Sequence, residues 1–366
     1  MSEINIAKQI LAARHQKKIT QEELASYIGV SKAAVSKWES GISFPDITIL
    51  PRLATYFNIS IDELLGYEPQ MTKEEIQKTY RDLKKMFAEQ PWAEVMKACE
   101  ELEKKYYSCF PLLLQLIVLY INHGNLSSEP KEVYAHCIEL AERIHTQGED
   151  VNDSKQAASL EVMCNLLMGE PMKALDLLGE KVRPYTQETE LLGQIYQSIG
   201  NMEKAKEVWQ IALYQHLIHC VGDAAPLMLV YADEPERADE IIKRTLQVME
   251  TYKMETLHPN TTAVTYLTAA QVYCMNGKAE DSLAMLEKYV SLCEHCYFPF
   301  VLHGDDFFDM LDEWFQEFDL GDQAPRSDAL IKKSMLESVE KNPALALLQD
   351  RQEFKDIVRR LREIVG

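Results

Sequence analysis

The stretch SKAAVSKWESG at residues 31–41 carries the side chains with the clearest chemistry in this sequence. It has the length of a short helix and contains two lysines, with no acidic residue before Glu39. On a helix that starts at Lys32, Val35 and Trp38 share one face and are expected to be buried. The other side presents hydrogen-bond donors and small side chains that suit contact with a polyanion: Lys32, Ala33, Ser36 and Lys37.

Charge is distributed unevenly along the chain. Residues 1–66 hold seven Lys/Arg and seven Asp/Glu, whereas the remaining 300 residues hold 31 basic and 51 acidic groups and therefore the whole net charge of -20. The acidic part would repel phosphate groups. Any contact with a polyanion is therefore expected to come from the N-terminal segment.

Other patterns in the sequence were weighed as metal or catalytic sites. Cys293 and Cys296 have CxxC spacing, and His216, His219 and Cys220 add soft ligands that suit zinc. The sequence has no second CxxC, and both stretches lie where buried cysteine is ordinary helical core. It also has no Gly-rich phosphate loop, GxSxG elbow or HExxH pair. We predict no metal, no cofactor and no enzymatic activity.

Length and composition set the class of protein. With 366 residues, 46% hydrophobic and 26% charged, the chain is globular and long enough for two domains or a repeat array. No apolar run reaches the length of about 18 residues needed for a membrane span, and the N-terminus has no signal-peptide core. The eight cysteines are scattered, as expected for reduced thiols. We expect a soluble, cytoplasmic protein.

Helix caps divide the first 66 residues into elements. Thr20 to Glu23 and Ser60 to Glu63 have the spacing of capping boxes, and Ser31 can cap the helix that follows it. Gly29 suits a turn that requires positive φ. Five helices are predicted, at about residues 4–15, 21–28, 32–39, 46–57 and 61–65. Their apolar positions predict one small core: Ile6, Ile10, Leu11, Leu24, Ile28, Val35, Trp38, Ile49, Leu53, Phe57, Ile61 and Leu64.

The stretch of residues 19–66 resembles, over the full length of the stretch, the DNA-binding domain of the Cro/cI-type (Xre family) helix-turn-helix repressors. The matching features are Thr20-Gln21, Leu24-Ala25, Gly29, Val35-Ser36, Trp38-Glu39, Gly41, Pro45-Asp46, Leu53-Ala54 and Ile61 to Gly66. The resemblance implies a five-helix, lambda-repressor-like domain whose third helix enters the major groove.

The resemblance also implies roles for individual residues. Lys32 and Lys37 would donate to guanine, Ser36 would contact a base or a phosphate, and Ala33 would pack on a thymine methyl. Gln21 would anchor a phosphate at the start of the second helix. The DNA-binding residues predicted are Gln21, Ser31, Lys32, Ala33, Ser36 and Lys37. The alternative is a solvated lysine and serine face on a helix that only packs.

The caps and apolar spacing of residues 67–108 predict a helical connector. Pro69 precedes a capping box from Thr72 to Glu75, which begins a helix to about residue 88, and a second helix follows at about 91–108. The sequence leaves open whether the apolar stripe of the first helix packs on the next domain or on a second protomer: Ile76, Tyr80, Leu83 and Phe87.

From residue 109 onward the sequence indicates helical repeats. The unit LLGQIYQSIGNMEKAKEVWQIAL fits a tetratricopeptide repeat, and weaker copies place turns near residues 124, 169, 200, 233 and 277. We predict an all-α protein in which the DNA-binding domain (1–66) and the connector (67–108) precede a right-handed superhelix of divergent repeats with C-terminal capping helices (109–366).

The concave face of such repeats would bind a ligand. The repeat register assigns these positions to it: Gln156, Gln187, Glu190, Gln194, Gln197, Ser198 and Gln271. Glutamines can hold the backbone of an extended peptide because they donate and accept hydrogen bonds together, and Glu190 would favour a basic group. The alternative is that these are ordinary polar residues on a solvated helix face.

The layout as a whole resembles the Gram-positive peptide-responsive quorum-sensing regulators. This resemblance implies a homodimeric transcription factor that binds a palindromic operator in double-stranded DNA and senses a short peptide through its repeats. A second hypothesis stays open, in which the repeats are an interaction or dimerisation scaffold without a small ligand. A polar groove closed at one end would favour the sensor, and a broad exposed apolar patch would favour the scaffold.

Overall fold

In this computed structural model, residues 5–67, 70–182 and 184–366 are described. Across these ranges the chain is built of helices and loops, with one isolated β-bridge between Val301 and Gln323. The all-α class predicted from the sequence is confirmed. Two residues of the predicted elements, Ile4 and Pro69, lie outside the described residues.

The helices in chain order are α1 (Ile6–Gln16), α2 (Gln21–Ile28), α3 (Lys32–Glu39), α4 (Leu50–Phe57), α5 (Ile61–Leu65), α6 (Lys73–Glu89), α7 (Trp92–Lys105), α8 (Phe110–His123), α9 (Pro130–Gln147), α10 (Val151–Met168), α11 (Pro171–Leu178), α12 (Glu188–Ser198), α13 (Met202–Val230), α14 (Pro235–Thr251), α15 (Met254–Leu257), α16 (Pro259–Met275), α17 (Ala279–His295), α18 (Asp312–Gln316), α19 (Asp328–Glu340) and α20 (Gln352–Val365). A 3-10 helix at Gly124–Leu126 follows α8, and another at Pro343–Leu348 precedes α20.

The chain divides into two compact units. The first comprises the residues up to Ile76, with Pro91–Ile117 and His136–Glu161. The second comprises Gln77–Gln90, Val118–Ala135 and Val162–Gly366. The domain boundaries given above from the sequence stay a prediction.

Helices α1 to α5 of the first unit enclose the small core that the apolar spacing predicts. Most of the predicted core residues are buried, but Leu11 and Ile61 are exposed and Ile49 is only partly buried. Leu11 lies about 100° around α1 from the buried Ile10, which takes it off the apolar stripe. Ile61 is the first residue of α5. Both were wrong as core predictions.

The fourth helix begins later than predicted. It starts at Leu50 instead of residue 46 because Asp46 makes a local turn. The Asp46 carboxylate accepts hydrogen bonds from the Thr48 backbone N–H at 2.9 Å and from the Thr48 hydroxyl at 2.5 Å. Such Asx turns compete with helix formation.

From α8 onward, helix pairs recur where the repeat pattern of the sequence predicts them. Loops separate α8 from α9, α10 from α11, α12 from α13, α13 from α14, and α16 from α17. Each of these loops coincides with one of the five predicted turns. Gly169, Gly200 and Gly277 take the positive φ that ends a helix in such a turn.

The α12–α13 pair corresponds to the unit whose sequence fits the tetratricopeptide pattern best. A Cβ on Gly193 would lie 2.8 Å from the Trp209 ring, so the close approach of the two helices requires glycine. Helix α13 then continues to Val230 without a break, passing through Pro226. One helix therefore serves both as the second helix of this repeat and as the first helix of the next.

The predicted apolar stripe of the connector is buried within the chain: Ile76, Tyr80, Leu83 and Phe87.

Within the described ranges, no helix combines the length and the apolar character that a membrane span requires.

Candidate nucleic-acid interface

Helices α2 and α3 and the turn between them form the helix-turn-helix. A full capping box starts α2: the Thr20 hydroxyl accepts from the Glu23 N–H at 3.2 Å, and the Glu23 carboxylate accepts from the Thr20 N–H at 2.7 Å. Gly29 ends α2 with a φ of 81°, in the left-handed region. Ser31 then caps α3 by accepting from the Ala34 N–H at 3.2 Å. The predicted caps are confirmed, and together they fix the angle at which α3 leaves the turn.

Helix α3 has one buried side and one exposed side. Val35 and Trp38 are buried in the core of the first unit and hold the helix against α1 and α2. The residues predicted to contact DNA lie on the exposed side: Ser31, Lys32, Ala33, Ser36 and Lys37. The structure therefore brings five of the six predicted DNA-binding residues onto one continuous surface. Small side chains between the two lysines let the helix backbone approach a groove closely.

Gln21, the sixth predicted residue, has a second role. Its amide nitrogen donates to Glu39 at 2.8 Å, and Arg14 donates to the same carboxylate through Nε at 2.5 Å and Nη2 at 3.0 Å. Arg14 also donates to the Ile19 carbonyl at 2.8 Å. The Glu39 side chain is only 4% exposed, so this pair is buried. These bonds connect α1, α2 and α3 below the exposed side of α3.

The network sets the charge of its members. Burial favours the neutral form of Glu39, but hydrogen bonds from Arg14 and Gln21 outweigh it and hold the pKa of Glu39 below its usual value. The hydrogen bond to Glu39 in turn raises the pKa of Arg14. Both groups are therefore charged near neutral pH. Sequence reasoning missed Arg14, because its partner lies 25 residues away and helical periodicity does not report such a pair.

The lysines of α3 are available for contacts outside the chain. Lys32 pairs with Glu22 at 3.4 Å, but both side chains are largely exposed. Such a pair contributes little to stability, so a phosphate or a base can replace Glu22 at small cost. Lys37, in the last turn of α3, is also exposed.

Three large apolar side chains beyond α3 were also missed. Ile42, Phe44 and Ile47 lie in the loop between α3 and α4 and are all exposed. Their signal in the sequence is the run ISFPDI, where apolar residues alternate with polar ones outside the helical spacing. A cluster of this kind on a small domain indicates a contact surface.

The residues predicted to line a ligand groove lie on three helices of the two units. Gln187, Glu190, Gln194 and Gln197 lie on or at the start of α12 in the second unit, with Ser198 at its end. Gln271 lies on α16 in the same unit, and Gln156 lies on α10 in the first unit. Glu190 pairs with His216 at 3.1 Å, and its second carboxylate oxygen is buried without a hydrogen bond.

The cysteine and histidine stretches form no metal centre. Cys293 lies buried in α17, and burial raises the pKa of its thiol to about 12. His216, His219 and Cys220 lie on α13. In the part of the chain that the structure describes, no three His, Cys, Asp or Glu side chains are grouped as metal ligands.

Comparison with known proteins matches the N-terminal segment. A family described as Helix-turn-helix matches residues 10–64. The HTH-type transcriptional activator BcrR of Enterococcus faecalis is 40% identical over 74 residues, which are 20% of this chain and 36% of that protein. The alignment thus spans about a third of the activator's length.

Three solved structures resemble larger parts of the chain at low identity. PlcR of Bacillus thuringiensis, in complex with the peptide PapR7 and DNA, has 15% identity, covers 80% of this chain and 96% of its own, and has a TM-score of 0.28. Apo ComR of S. thermophilus has 16% identity over 80% and 94%, with a TM-score of 0.24. Apo ComR of Streptococcus vestibularis has 14% over 87% and 98%, also at 0.24. Such TM-scores establish neither a common fold nor a common function. The family match and the geometry of α1 to α5 do agree: residues 10–64 of this chain are a helix-turn-helix domain.

Proposed function

We propose that this protein is a sequence-specific DNA-binding transcriptional regulator. The observation that carries the proposal is the exposed side of α3, which presents Lys32, Ala33, Ser36 and Lys37 while Val35 and Trp38 anchor the helix. A rigid helix with short side chains and two lysines suits direct readout in the major groove. The 40% identity to a transcriptional activator over this segment supports the same function.

The regulator acts as a homodimer on a palindromic operator. One helix-turn-helix reads only a half-site, and two copies related by a twofold axis read an inverted repeat. The rest of the chain carries the whole net negative charge, so DNA contacts are confined to the N-terminal heads. A protein of this class acts in the cytoplasm, where the DNA is.

In this proposal the helical repeats sense a ligand, a short peptide in the first instance. The polar side chains of α12 support this because they are exposed and free to hold a peptide backbone: Gln187, Gln194 and Gln197. Ligand binding would change the spacing or freedom of the two DNA-binding heads.

A second candidate is that the repeats are a docking scaffold. Helices α11 and α12 expose many large apolar side chains, among them Met172, Leu178, Leu191 and Ile195, and Ile199 directly after α12 is exposed as well. Ile199 alone is 68% exposed. An apolar surface of this extent is typical of a protein–protein contact, with another protein or a second copy of this chain.

One experiment separates these functions. The purified protein is bound to genomic DNA fragments, with and without spent culture medium of its host, and the bound fragments are sequenced. A palindromic site whose occupancy changes with the medium supports the sensor. A site whose occupancy does not change with the medium favours the scaffold. If no site is recovered, the proposal of a sequence-specific regulator is contradicted.

A further inference from the structure

The second unit contains a cavity of about 410 Å³ that none of the predicted ligand residues lines. Its walls come from α16, α17 and α19, with Asn122 from the end of α8 and the segment 324–326. Much of the lining is apolar, including Ala263, Leu267 and Phe300. A volume of this size is typical of a site for a small molecule.

Arg326 is the one charged residue among those that line the cavity in the described chain. Its Nε is buried without a hydrogen bond, although the residue as a whole is only half-buried, and the ion pairs found among the described residues do not include its guanidinium. Burial lowers the pKa of Arg326. A half-buried charge without a partner loses part of its hydration, and proteins usually supply such a charge with a partner. The cavity thus holds an uncompensated cation, in a chain whose net charge is -20.

The groups around Arg326 do not neutralise it. The Tyr297 hydroxyl donates to Asn260 at 2.9 Å and the Tyr289 hydroxyl donates to the Met335 carbonyl at 3.3 Å, so neither requires Arg326 as a partner. Lys84 adds a second positive charge nearby and is itself partly balanced by Asp328. His123 is uncharged near neutral pH, because burial lowers its pKa to about 4.

We propose that this space, the Arg326 cavity, binds a small carboxylate-bearing molecule with an apolar body. The carboxylate pairs with the Arg326 guanidinium, which can donate two parallel hydrogen bonds, and the body packs on the wall formed by α16 and α19. Two sources share this chemistry: the C-terminus of a short apolar peptide and an aliphatic carboxylic acid. The proposal names the ligand class and the site for the sensing function proposed above.

The cavity also has a route to the connector. The Tyr80 hydroxyl donates to the Pro325 carbonyl at 3.0 Å, and Lys84 Nζ donates to the Ala324 carbonyl at 3.2 Å. Ala324 and Pro325 line the cavity, and both donors lie on α6, which follows the helix-turn-helix along the chain. A ligand that fixes this segment therefore also fixes its contacts with α6.

Isothermal titration calorimetry on the full chain, without DNA, tests the proposal. The probes are octanoate and the tripeptide Leu-Leu-Phe, each compared with its carboxamide. At least one carboxylate is expected to bind about tenfold or more tightly than its amide, because the charged hydrogen bonds are lost in the amide. Which of the two binds identifies the source. Failure of both carboxylates at millimolar concentration overturns the proposal.

Three variants locate the site. Arg326→Gln should weaken binding of the carboxylate by about tenfold or more and leave the amide unchanged. Ser334→Leu, which fills the cavity from α19, should abolish binding of both. Lys333→Gln removes one charge from an exposed position on the same helix and should change nothing. Equal carboxylate binding by Arg326→Gln and the wild type would refute the assignment.

The melting temperature of the unliganded protein shows whether Arg326 serves a ligand site or only stabilises the fold. If Arg326 awaits a carboxylate, Arg326→Gln removes an uncompensated charge and leaves the melting temperature unchanged or higher. A lower melting temperature with unchanged ligand binding would mean that Arg326 only holds the fold. Because none of these measurements uses DNA, a failure of operator binding would leave the cavity proposal standing, and the reverse also holds.

Discussion

Glu39 determines, more than any other single side chain, how α3 is held. Its carboxylate receives hydrogen bonds from Arg14 on α1 and Gln21 on α2, and its side chain is buried. The exposed lysines of α3 can read DNA only if the helix keeps its angle to α2. The residues that would contact DNA thus depend on a charge pair that itself does not reach the surface.

Glu39→Gln should destabilise the helix-turn-helix by about 3 kcal/mol, because it leaves the Arg14 guanidinium buried without a counter-charge. Amide hydrogen exchange of α1 to α3, read by mass spectrometry, measures this as the free energy of local opening. Glu22→Gln is the matched control: its side chain is 76% exposed, and the loss should stay within about 0.5 kcal/mol. Equal effects of the two substitutions would contradict the role of Glu39.

The same pair predicts a dependence on pH. Because the pKa of Glu39 is lower in the folded state than its ordinary value of 4.5, its contribution to stability is complete above that value and is lost as the pH falls below it. Opening of α3 measured from pH 6 downward to about pH 3 should therefore become easier in the wild type. In Glu39→Gln this part of the pH dependence should be absent; an unchanged profile would exclude Glu39 as its source.

Lys37→Ala should cost about 1 to 3 kcal/mol at one base pair of the operator and relax the preference there. Lys8→Ala, a substitution of an exposed lysine on α1, removes the same charge from outside α3 and should leave the preference unchanged. Competition binding with single-base operator variants measures both. Intact operator binding by the combined Lys32→Ala and Lys37→Ala variant would reject α3 as the recognition helix.

At this scale the sequence predicted exposed and buried residues better than it predicted partners. Val35 and Trp38 were predicted to be buried and Lys32 and Lys37 exposed from helical spacing alone, and the structure agrees. The Arg14–Glu39 pair was missed, because spacing along one helix carries no information on which charges meet after folding. Leu11 was overpredicted, since apolar character does not by itself place a side chain on the buried stripe.

The α12–α13 pair offers the clearest test among the elements. Gly193 and Gly200 are both glycines of this repeat, but for different reasons. A Cβ at Gly193 would meet Trp209 at 2.8 Å, whereas Gly200 has a φ of 79° and open space around it. Close packing requires the first glycine, and backbone conformation requires the second.

Gly193→Ala should therefore destabilise this helix pair by about 1 to 3 kcal/mol through overpacking. The higher helix propensity of alanine offsets up to about 1 kcal/mol of this loss. Gly200→Ala should cost about 1 kcal/mol from the left-handed backbone. Combining each with Trp209→Phe in a double-mutant cycle, measured by hydrogen exchange, separates them: coupling is expected for Gly193 and additivity for Gly200. Additivity at both positions would contradict the packing account.

The elements themselves were largely predictable, because their ends have local causes. Caps such as Thr20 and glycines with positive φ such as Gly200 act on the neighbouring backbone, so the sequence reveals them directly. One departure is also local: Asp46 delays α4 through its turn with Thr48. The other is not local, because α13 runs through Gly222 and Pro226 to Val230 although both residue types disfavour a helix interior.

At the scale of the whole molecule, charge distinguishes the part proposed to contact DNA from the part proposed to bind a ligand. The helix-turn-helix segment is balanced and the rest of the chain is strongly acidic, so the acidic part opposes nonspecific binding to DNA. This charge distribution agrees with the proposal that DNA contacts come from the exposed side of α3. The cavity around Arg326 reverses this pattern locally, because a half-buried cation lines it. Sequence reasoning placed the ligand groove on the glutamines of α12, because repeat register assigns surface positions and does not reveal a cavity closed by distant segments such as 324–326.

The most direct test of the proposed function is selection of binding sites from a pool of random double-stranded DNA by the purified full-length protein, followed by sequencing. We expect an enriched inverted repeat whose half-sites are centred about one helical turn, or a multiple of it, apart. The combined Lys32→Ala and Lys37→Ala variant should lose this enrichment, while the Lys8→Ala variant should keep it. If the wild type enriches no sequence, or if the double variant enriches the same one, the exposed side of α3 does not read DNA.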